Sequence, residues 1–213
     1  MYPIDTILFD WDGTLIDSAQ PAFTAFSKAL DELGIPLDSG IYERIYSPNW
    51  YRMYEKLHLP QERWQEADEL WNRYYARESS QLVPGGQSAL NELVRREYAI
   101  GVVTSGSCTR VQQEIRVFGL ADFFQVVICN EDVVNRKPHP EGLNTAMERM
   151  RKRPGLCCYV GDSPDDIEMG QRAKVLTVAI PGRYPSSKQL PGSHPNLCFD
   201  TLEQFVAELS LQG

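Results

Sequence analysis

Two aspartates one residue apart follow the first apolar run of the chain, in Phe9-Asp10-Trp11-Asp12-Gly13-Thr14. If the extended backbone continues past the run, residues i and i+2 point to the same side and both carboxylates face one spot. Like charges that close repel, and both stay ionised only if a cation sits between them or one takes a proton. Such a pair can divide labour: one carboxylate binds metal and attacks, and the other shuttles a proton. A second acidic segment is Gly161-Asp162-Ser163-Pro164-Asp165-Asp166. Ser163 reads as a helix N-cap with Pro164 at the first helical position. Capping and the helix dipole account for Asp165 and Asp166 in the first turn. They do not account for Asp162, which precedes the cap, and Asp165 reads as solvated. Thr104-Ser105-Gly106-Ser107 offers a hydroxyl and backbone N–H groups ahead of a helix, a natural cradle for phosphate. Lys137, before Pro138, reads by itself as a loop lysine. The order is the informative part: two acids, a hydroxyl loop, a lysine, then one or two acids.

Each of these groups follows a short apolar run. The runs are Thr6–Phe9, Ala99–Val103, Val126–Cys129, Cys157–Val160 and Val175–Ile180. Continuous apolar runs of this length suit strands buried on both faces of a parallel sheet. Helical patterns lie between the later runs. Thr109 to Phe118 carries Val111, Ile115 and Phe118 on one face, with Gly119 as its stop. Pro140 to Met150 carries Leu143, Met147 and Met150. Strands alternating with helices predict an α/β fold, a Rossmann-like parallel sheet flanked by helices. In open α/β sheets, sites form beyond the carboxyl ends of the strands, where Asp10, Asp12 and Asp162 fall.

The stretch between the first two runs differs. Amphipathic patterns span Pro21 to Leu33, stopped at Gly34-Ile35-Pro36, and Gln61 to Arg77, and half of the chain's aromatic residues lie between Phe23 and Tyr75. This predicts a small all-helical unit inserted after the first strand. The expected division is residues 1–14 and 84–213 for the α/β core and 15–83 for the insertion. Residues 181 to 195, rich in Pro, Gly and Ser, read as a surface loop.

The 213 residues suffice for a sizeable buried core, and their 42% hydrophobic and 23% charged content is that of a globular chain. The net charge is −8, with no basic stripe, so a nucleic-acid-coating role has little electrostatic support. A local pocket with a bound cation can still take a phosphorylated substrate. The five cysteines, 108, 129, 157, 158 and 198, fit no zinc pattern and read as buried free thiols in a reducing compartment. No basic-then-apolar leader and no membrane-length apolar run is seen, so the expectation is a cytoplasmic protein without membrane or nucleic-acid partners.

With these four signals in place, the chain resembles the haloacid dehalogenase superfamily of phosphohydrolases, near its phosphoglycolate-phosphatase-like branch. The resemblance rests on Asp10-Trp11-Asp12-Gly13-Thr14, Thr104, Lys137 and Gly161-Asp162 with Asp166, and covers essentially the whole chain. The run Asp10 to Ser18, Lys137-Pro138-His139-Pro140 and Val160 to Ser163 are also similar to that branch, and the helical insertion resembles the family's C1 cap. The chain departs from the branch at Ser105-Gly106 after Thr104, at Arg136 before Lys137 and in the polar run Gly170-Gln171-Arg172-Ala173.

The resemblance implies a phosphatase for a small phosphorylated metabolite, with Mg²⁺ as cofactor. Asp10 would attack phosphorus to form an aspartyl-phosphate. Asp12 would protonate the leaving oxygen and then activate water. Mg²⁺ would be held by the Asp10 carboxylate, the Asp12 backbone carbonyl and Asp162. Lys137 would neutralise the nucleophile and phosphate, while Thr104 with the amides of Ser105 and Gly106 would bind phosphoryl oxygens. Asp166 would order the metal's water shell or Lys137, and Thr14 would help fix Asp12. The carboxylates of Asp10, Asp12 and Asp162 are expected to converge, with the Lys137 amine facing them. A phosphomutase of the β-phosphoglucomutase type uses nearly the same motifs, but Thr14 stands where such enzymes commonly have Val. A dehalogenase would lack Asp12 and Asp162, and a non-catalytic binding protein on this fold would be expected to lose an acid or the lysine. In the cap, Trp50, Tyr51, Tyr54, Trp64 and Trp71 read mainly as helix-packing residues, with one or two facing the site. Arg44, Arg52 and Lys56 could read an anionic tail of the substrate, but solvated surface is the better reading for each.

Overall fold

A computed structural model of the chain describes residues 3–210. Its central sheet has six strands: β1 (Thr6–Phe9), β4 (Ala99–Val103), β5 (Val126–Ile128), β6 (Cys157–Gly161), β7 (Leu176–Ala179) and β8 (Leu197–Cys198). They lie in the order β5-β4-β1-β6-β7-β8, and every pairing is parallel. The five apolar runs become five of these strands. β8 has two residues, too short to show a period in the sequence.

Helices cover both faces: α5 (Gly86–Arg95), α6 (Cys108–Val117), α7 (Glu141–Met150), α8 (Pro164–Arg172) and α9 (Leu202–Ser210). Alternate strand residues enter separate cores. Ile7, Phe9 and Cys158 pack on one side with Leu90 and Phe205, while Leu8, Cys157 and Tyr159 pack on the other with Leu143 and Met169. The neighbouring cysteines therefore point to opposite faces, as strand geometry requires. All five are free thiols, but only Cys129, Cys157 and Cys158 are buried as expected, Cys108 being half-buried and Cys198 exposed. α6 ends at Gly119, whose φ of +67° closes the turn.

The chain leaves β1 through a short antiparallel pair, β2 (Ile16–Asp17) with β3 (Gln81–Leu82). Between these strands lie four helices: α1 (Ala19–Glu32), α2 (Ser39–Ile45), α3 (Trp50–Lys56) and α4 (Trp64–Tyr75). They form a helical cap with its own apolar cluster around Phe26, Leu30, Met53, Tyr54 and Ala67. Asp38 and Asn49 cap α2 and α3 by accepting N–H bonds from Ile41 and Tyr51. The expected loop at 181–195 contains a 3₁₀ run, Pro185–Ser193, whose Ser186 and Leu190 are buried. That run packs on α8 while Lys188, Gln189, Pro191 and Gly192 stay exposed, so it is a surface segment pinned to the core. No helix among the described residues is long and apolar enough to cross a membrane.

Candidate active site

The carboxyl ends of β1, β4, β5 and β6 open into a cavity of about 310 Å³, closed on its other side by α1, α3 and α4. Asp10 follows β1, and its N–H donates to the Val160 carbonyl at 2.9 Å, so sheet pairing carries into the site and fixes that residue. Lys137 donates from Nζ to Asp10 Oδ1 at 2.5 Å and to Asp166 Oδ1 at 2.7 Å. Asp166 is fixed in turn by the capping box of α8. Ser163 donates to its Oδ2 from the backbone N–H at 3.1 Å and from the hydroxyl at 2.6 Å. The Tyr159 hydroxyl donates to Asp166 Oδ1 at 3.1 Å. The sequence left two duties open for Asp166, and the geometry pairs it with Lys137.

Asp162 is fixed by close backbone. Gly13 has φ +87°, and a Cβ there would collide with the Asp162 carboxylate. A Cβ at Gly182 would collide with it from another side. Both positions are thus reserved for glycine, the first by conformation as well as by space. Ser187 donates from Oγ to the Asp162 carbonyl at 2.9 Å.

One oxygen from each of Asp10, Asp162 and Asp166 lies within 4.8 Å of the others, and all three residues are buried. At that separation each like-charge pair costs at least about 3 kcal/mol at an effective dielectric of 20. Burial, opposed by Lys137 and reinforced by Asp166, pushes Asp10 up to about 7. Burial and then the charges of Asp10 and Asp166 push Asp162 well above the carboxylate range. Burial works against the Lys137 ammonium, but Asp10 and Asp166 hold it above its ordinary value. One ammonium among three buried carboxylates leaves a deficit of positive charge. An all-oxygen, anionic donor set of this kind fits a hard divalent cation.

The structure corrects the expected convergence of carboxylates at 10, 12 and 162: Asp166 is the third member in place of Asp12. The Asp12 side chain turns away and accepts from Arg110 Nη1 at 3.0 Å and Nη2 at 2.5 Å, and from Ser18 Oγ at 2.7 Å. Burial raises Asp12, but Arg110 and Ser18 outweigh it and hold the carboxyl below its usual range. This orientation leaves open the role expected for the Asp12 backbone carbonyl. Thr14 does not fix Asp12: it is buried, and its Oγ1 has no hydrogen-bond partner among the described residues. Ser18 and Arg110 occupy the carboxylate oxygens instead.

Thr104, Ser105 and Gly106 line the cavity beside Asp10. The Gly106 N–H donates to Thr104 Oγ1 at 3.0 Å, so that amide is already engaged inside the loop. Asp165 is half-buried rather than solvated, and its Oδ2 is buried without a partner. Arg44, Arg52 and Lys56 are exposed as expected. The aromatic wall is broader than expected, since Trp50, Tyr51, Tyr54 and Trp71 all line the cavity.

Sequence reasoning missed Arg110, which sits over the rings of Trp71 and Tyr75 at 5.9 and 5.1 Å and also bonds Glu114 at 3.0 Å. Its spacing of four from Glu114 imitates an ordinary surface pair on a helix. Ser18 and Tyr184 were missed as partners as well; their hydroxyls lie 3.0 Å apart. Ser18 ends the run Asp10 to Ser18 that resembles the family branch, whereas nothing in the sequence marks Tyr184.

The family described as haloacid dehalogenase-like hydrolase matches residues 7–180. The chain is 28% identical over 209 residues to the pyrophosphatase PpaX of Oceanobacillus iheyensis, covering 95% of each. It is 29% identical over 204 residues to a phosphoglycolate phosphatase of Yersinia pseudotuberculosis, covering 89% of this chain and 86% of that one. The crystal structure of a predicted phosphoglycolate phosphatase from Haemophilus somnus superposes with a TM-score of 0.84 at 22% identity, over 100% of both chains. The match across residues 7–180, which takes in the acids, the hydroxyl loop and the lysine, makes this chain a member of the haloacid dehalogenase-like hydrolase family.

Proposed function

We propose that this protein is a Mg²⁺-dependent phosphatase that hydrolyses a small phosphomonoester through an aspartyl-phosphate on Asp10, with residues 15–83 as the cap unit over the α/β core. The observation that carries this reading is the Lys137 ammonium shared by Asp10 and Asp166, with Asp162 completing three carboxylates within 4.8 Å. Asp10 would attack phosphorus in line as the leaving oxygen departs. Asp12 would give a proton to that oxygen and recover one from the water that cleaves the acyl phosphate. For this, its carboxylate must leave Arg110 when substrate enters. Thr104 and the Ser105 amide would hold phosphoryl oxygens, with the Gly106 amide fixing the Thr104 hydroxyl, and Lys137 would balance charge on the nucleophile side. Asp10, the Asp12 carbonyl and Asp162 would hold Mg²⁺, with Asp166 close by. When bound, the ion would screen the repulsion between the nucleophile and the phosphoryl dianion. The free thiols fit a reducing compartment, consistent with a cytoplasmic enzyme.

The test is phosphate release from a panel of phosphomonoesters with Mg²⁺ and then with chelator, together with acid-quench trapping of labelled phosphate on the protein. Release should stop with chelator, and Asp10→Asn should trap no label. Metal-independent release, no release from any ester, or wild-type labelling of Asp10→Asn would each sink the mechanism.

A further inference from the structure

Arg136 stands immediately before the lysine that anchors Asp10, and the reading above gives it no task. Its guanidinium carbon lies 4.7 Å from the ring centre of Trp50 and 4.4 Å from that of Tyr51. The two rings meet edge to face with centroids 5.4 Å apart, so together they form a corner that holds the guanidinium. Nη1 is buried and has no hydrogen-bond partner among the described residues. No described carboxylate lies within ion-pair distance of it. The carboxylate that feels its charge, Asp68, is already committed. Asp68 Oδ1 accepts from Trp50 Nε1 and the Tyr54 hydroxyl at 2.9 Å each, and Oδ2 accepts from the Tyr51 hydroxyl at 3.1 Å. An always-charged fork on a half-buried side chain, held between two rings with its buried Nη1 unpartnered and no anion beside it, is a costly arrangement for a protein to keep for packing alone.

Arg136 and Lys137 line the same cavity, and their α-carbons are about 3.8 Å apart along the chain. Resting on the phosphatase reading, we infer that Arg136 is a specificity residue for a second anionic group on the substrate, a phosphate or carboxylate close to the phosphoryl group held at Lys137. Lys137 is bound to Asp10 and Asp166, so it serves the reacting phosphoryl group. Arg136 has donors to spare, and their planar fork matches two oxygens of a carboxylate or phosphate. Trp50 and Tyr51 belong to the cap and Arg136 to the core, so the group that reads the substrate's tail also joins the two parts when the cavity is closed. Glu131 lines the same cavity, but it accepts the Cys108 N–H at 2.9 Å and does not pair with Arg136.

The experiment compares kcat/KM of the wild-type protein and Arg136→Gln, with Mg²⁺, on pyrophosphate, 2-phosphoglycolate, ethyl phosphate and phenyl phosphate. Pyrophosphate and phosphoglycolate separate a second phosphate from a carboxylate as the group read. Arg136→Gln should lower the preference for one or both charged-tail substrates over the neutral-tail esters by about 10- to 100-fold, chiefly through KM. Arg136→Lys keeps the charge but loses the fork and should fall between. Equal loss on all four substrates, or no loss, overturns the inference. If the wild-type protein releases phosphate from none of them, the phosphatase reading fails, and binding decides the matter separately. Calorimetric titration of Asp10→Asn with pyrophosphate and with orthophosphate gives a ratio of affinities. Adding Arg136→Gln should reduce that ratio about tenfold or more, and an unchanged ratio refutes the role.

Discussion

At the sheet side of the cavity, charge meets charge, and the positions are set by strand ends. Asp10 follows β1, Asp162 follows β6, and Asp166 opens α8, with Lys137 donating to two of them. At the cap side, neutral rings do the positioning. Asp68 collects bonds from Trp50, Tyr51 and Tyr54, and Tyr51 stacks on Trp64 at 4.9 Å. The sheet side is fixed by backbone geometry that tolerates almost no change, down to the glycines that back Asp162. The cap side is fixed by side-chain packing, which a few substitutions can reshape. The difference separates duties: chemistry belongs where atoms cannot drift, and substrate choice belongs where they can.

If the sheet side works by charge balance, removing the cation that Asp10 and Asp166 share should have the largest effect. Lys137→Met leaves Asp10 and Asp166 without their shared donor. The expected loss in kcat is on the order of 10³-fold. Stability without metal should fall by about 3 kcal/mol, as when one partner of a buried pair is removed. Urea unfolding with and without Mg²⁺ checks the second half, because added ion should recover more stability in the variant than in the wild type. Equal recovery in both would mean that the carboxylates are balanced some other way.

The next largest effect is expected where the two sides touch. Arg110, on α6, holds Asp12 and Glu114 while lying over Trp71 and Tyr75 of α4. Tyr75 and Trp11 also donate to Glu114, at 3.1 and 2.7 Å. Arg110→Gln frees the Asp12 carboxylate from its strongest partner. In the proposed mechanism Asp12 acts only after it leaves Arg110, which against burial holds its carboxyl below the usual range. So kcat should rise about tenfold on ethyl phosphate and change much less on phenyl phosphate, whose leaving group needs less help from a proton. A uniform loss on both esters would show that Arg110 shapes the cavity without governing the proton.

The same contrast explains what could be read from the sequence. Strand-end residues were legible because a buried parallel strand writes itself as an apolar run, and the next residue is then at the site. Asp10, Thr104 and Asp162 all follow that logic, whereas Lys137 lies nine residues beyond the end of β5 and was legible only by its place in the order of the four signals. Helix starts were legible where capping residues stood, as at Ser163-Pro164. The cap was legible only as helical. α2 and α3 have seven residues each, barely two turns, and too little to show a 3.6-residue period. Arg110 and Asp68 were hidden because a charged residue on an amphipathic helix has a sufficient explanation in solvent. Only the closing of α4 over α6, and of α3 over the loop at 136, turns those faces inward. Arg136 was visible as a departure from the family pattern, but its meaning depends on two rings brought from 86 and 85 residues earlier in the chain, and no local pattern encodes that contact. The same holds for the 3₁₀ run Pro185–Ser193, whose composition is that of a loop and whose burial comes from α8.

The smallest effect tests whether Asp68 belongs to the substrate or to the rings. Burial raises its carboxyl above the ordinary range, while three hydrogen bonds and the charge of Arg136 oppose the rise. Asn in its place keeps one carbonyl acceptor and offers an amide that the Tyr51 hydroxyl can accept from. The cost should therefore be near that of one lost hydrogen bond, about 1 kcal/mol in thermal or urea unfolding. The kinetic sign is the sharper part. Asp68 is a negative charge behind the guanidinium, so removing it should strengthen the pull of Arg136 on a second anion. KM for charged-tail substrates should fall about two- to threefold in Asp68→Asn, with kcat within about twofold, since the charge acts through rings and partial solvent. That is opposite in direction to Arg136→Gln. A tenfold rise in KM would instead make Asp68 a direct contact for a donor group on the substrate, and the cap would then read hydroxyls or amines rather than anions.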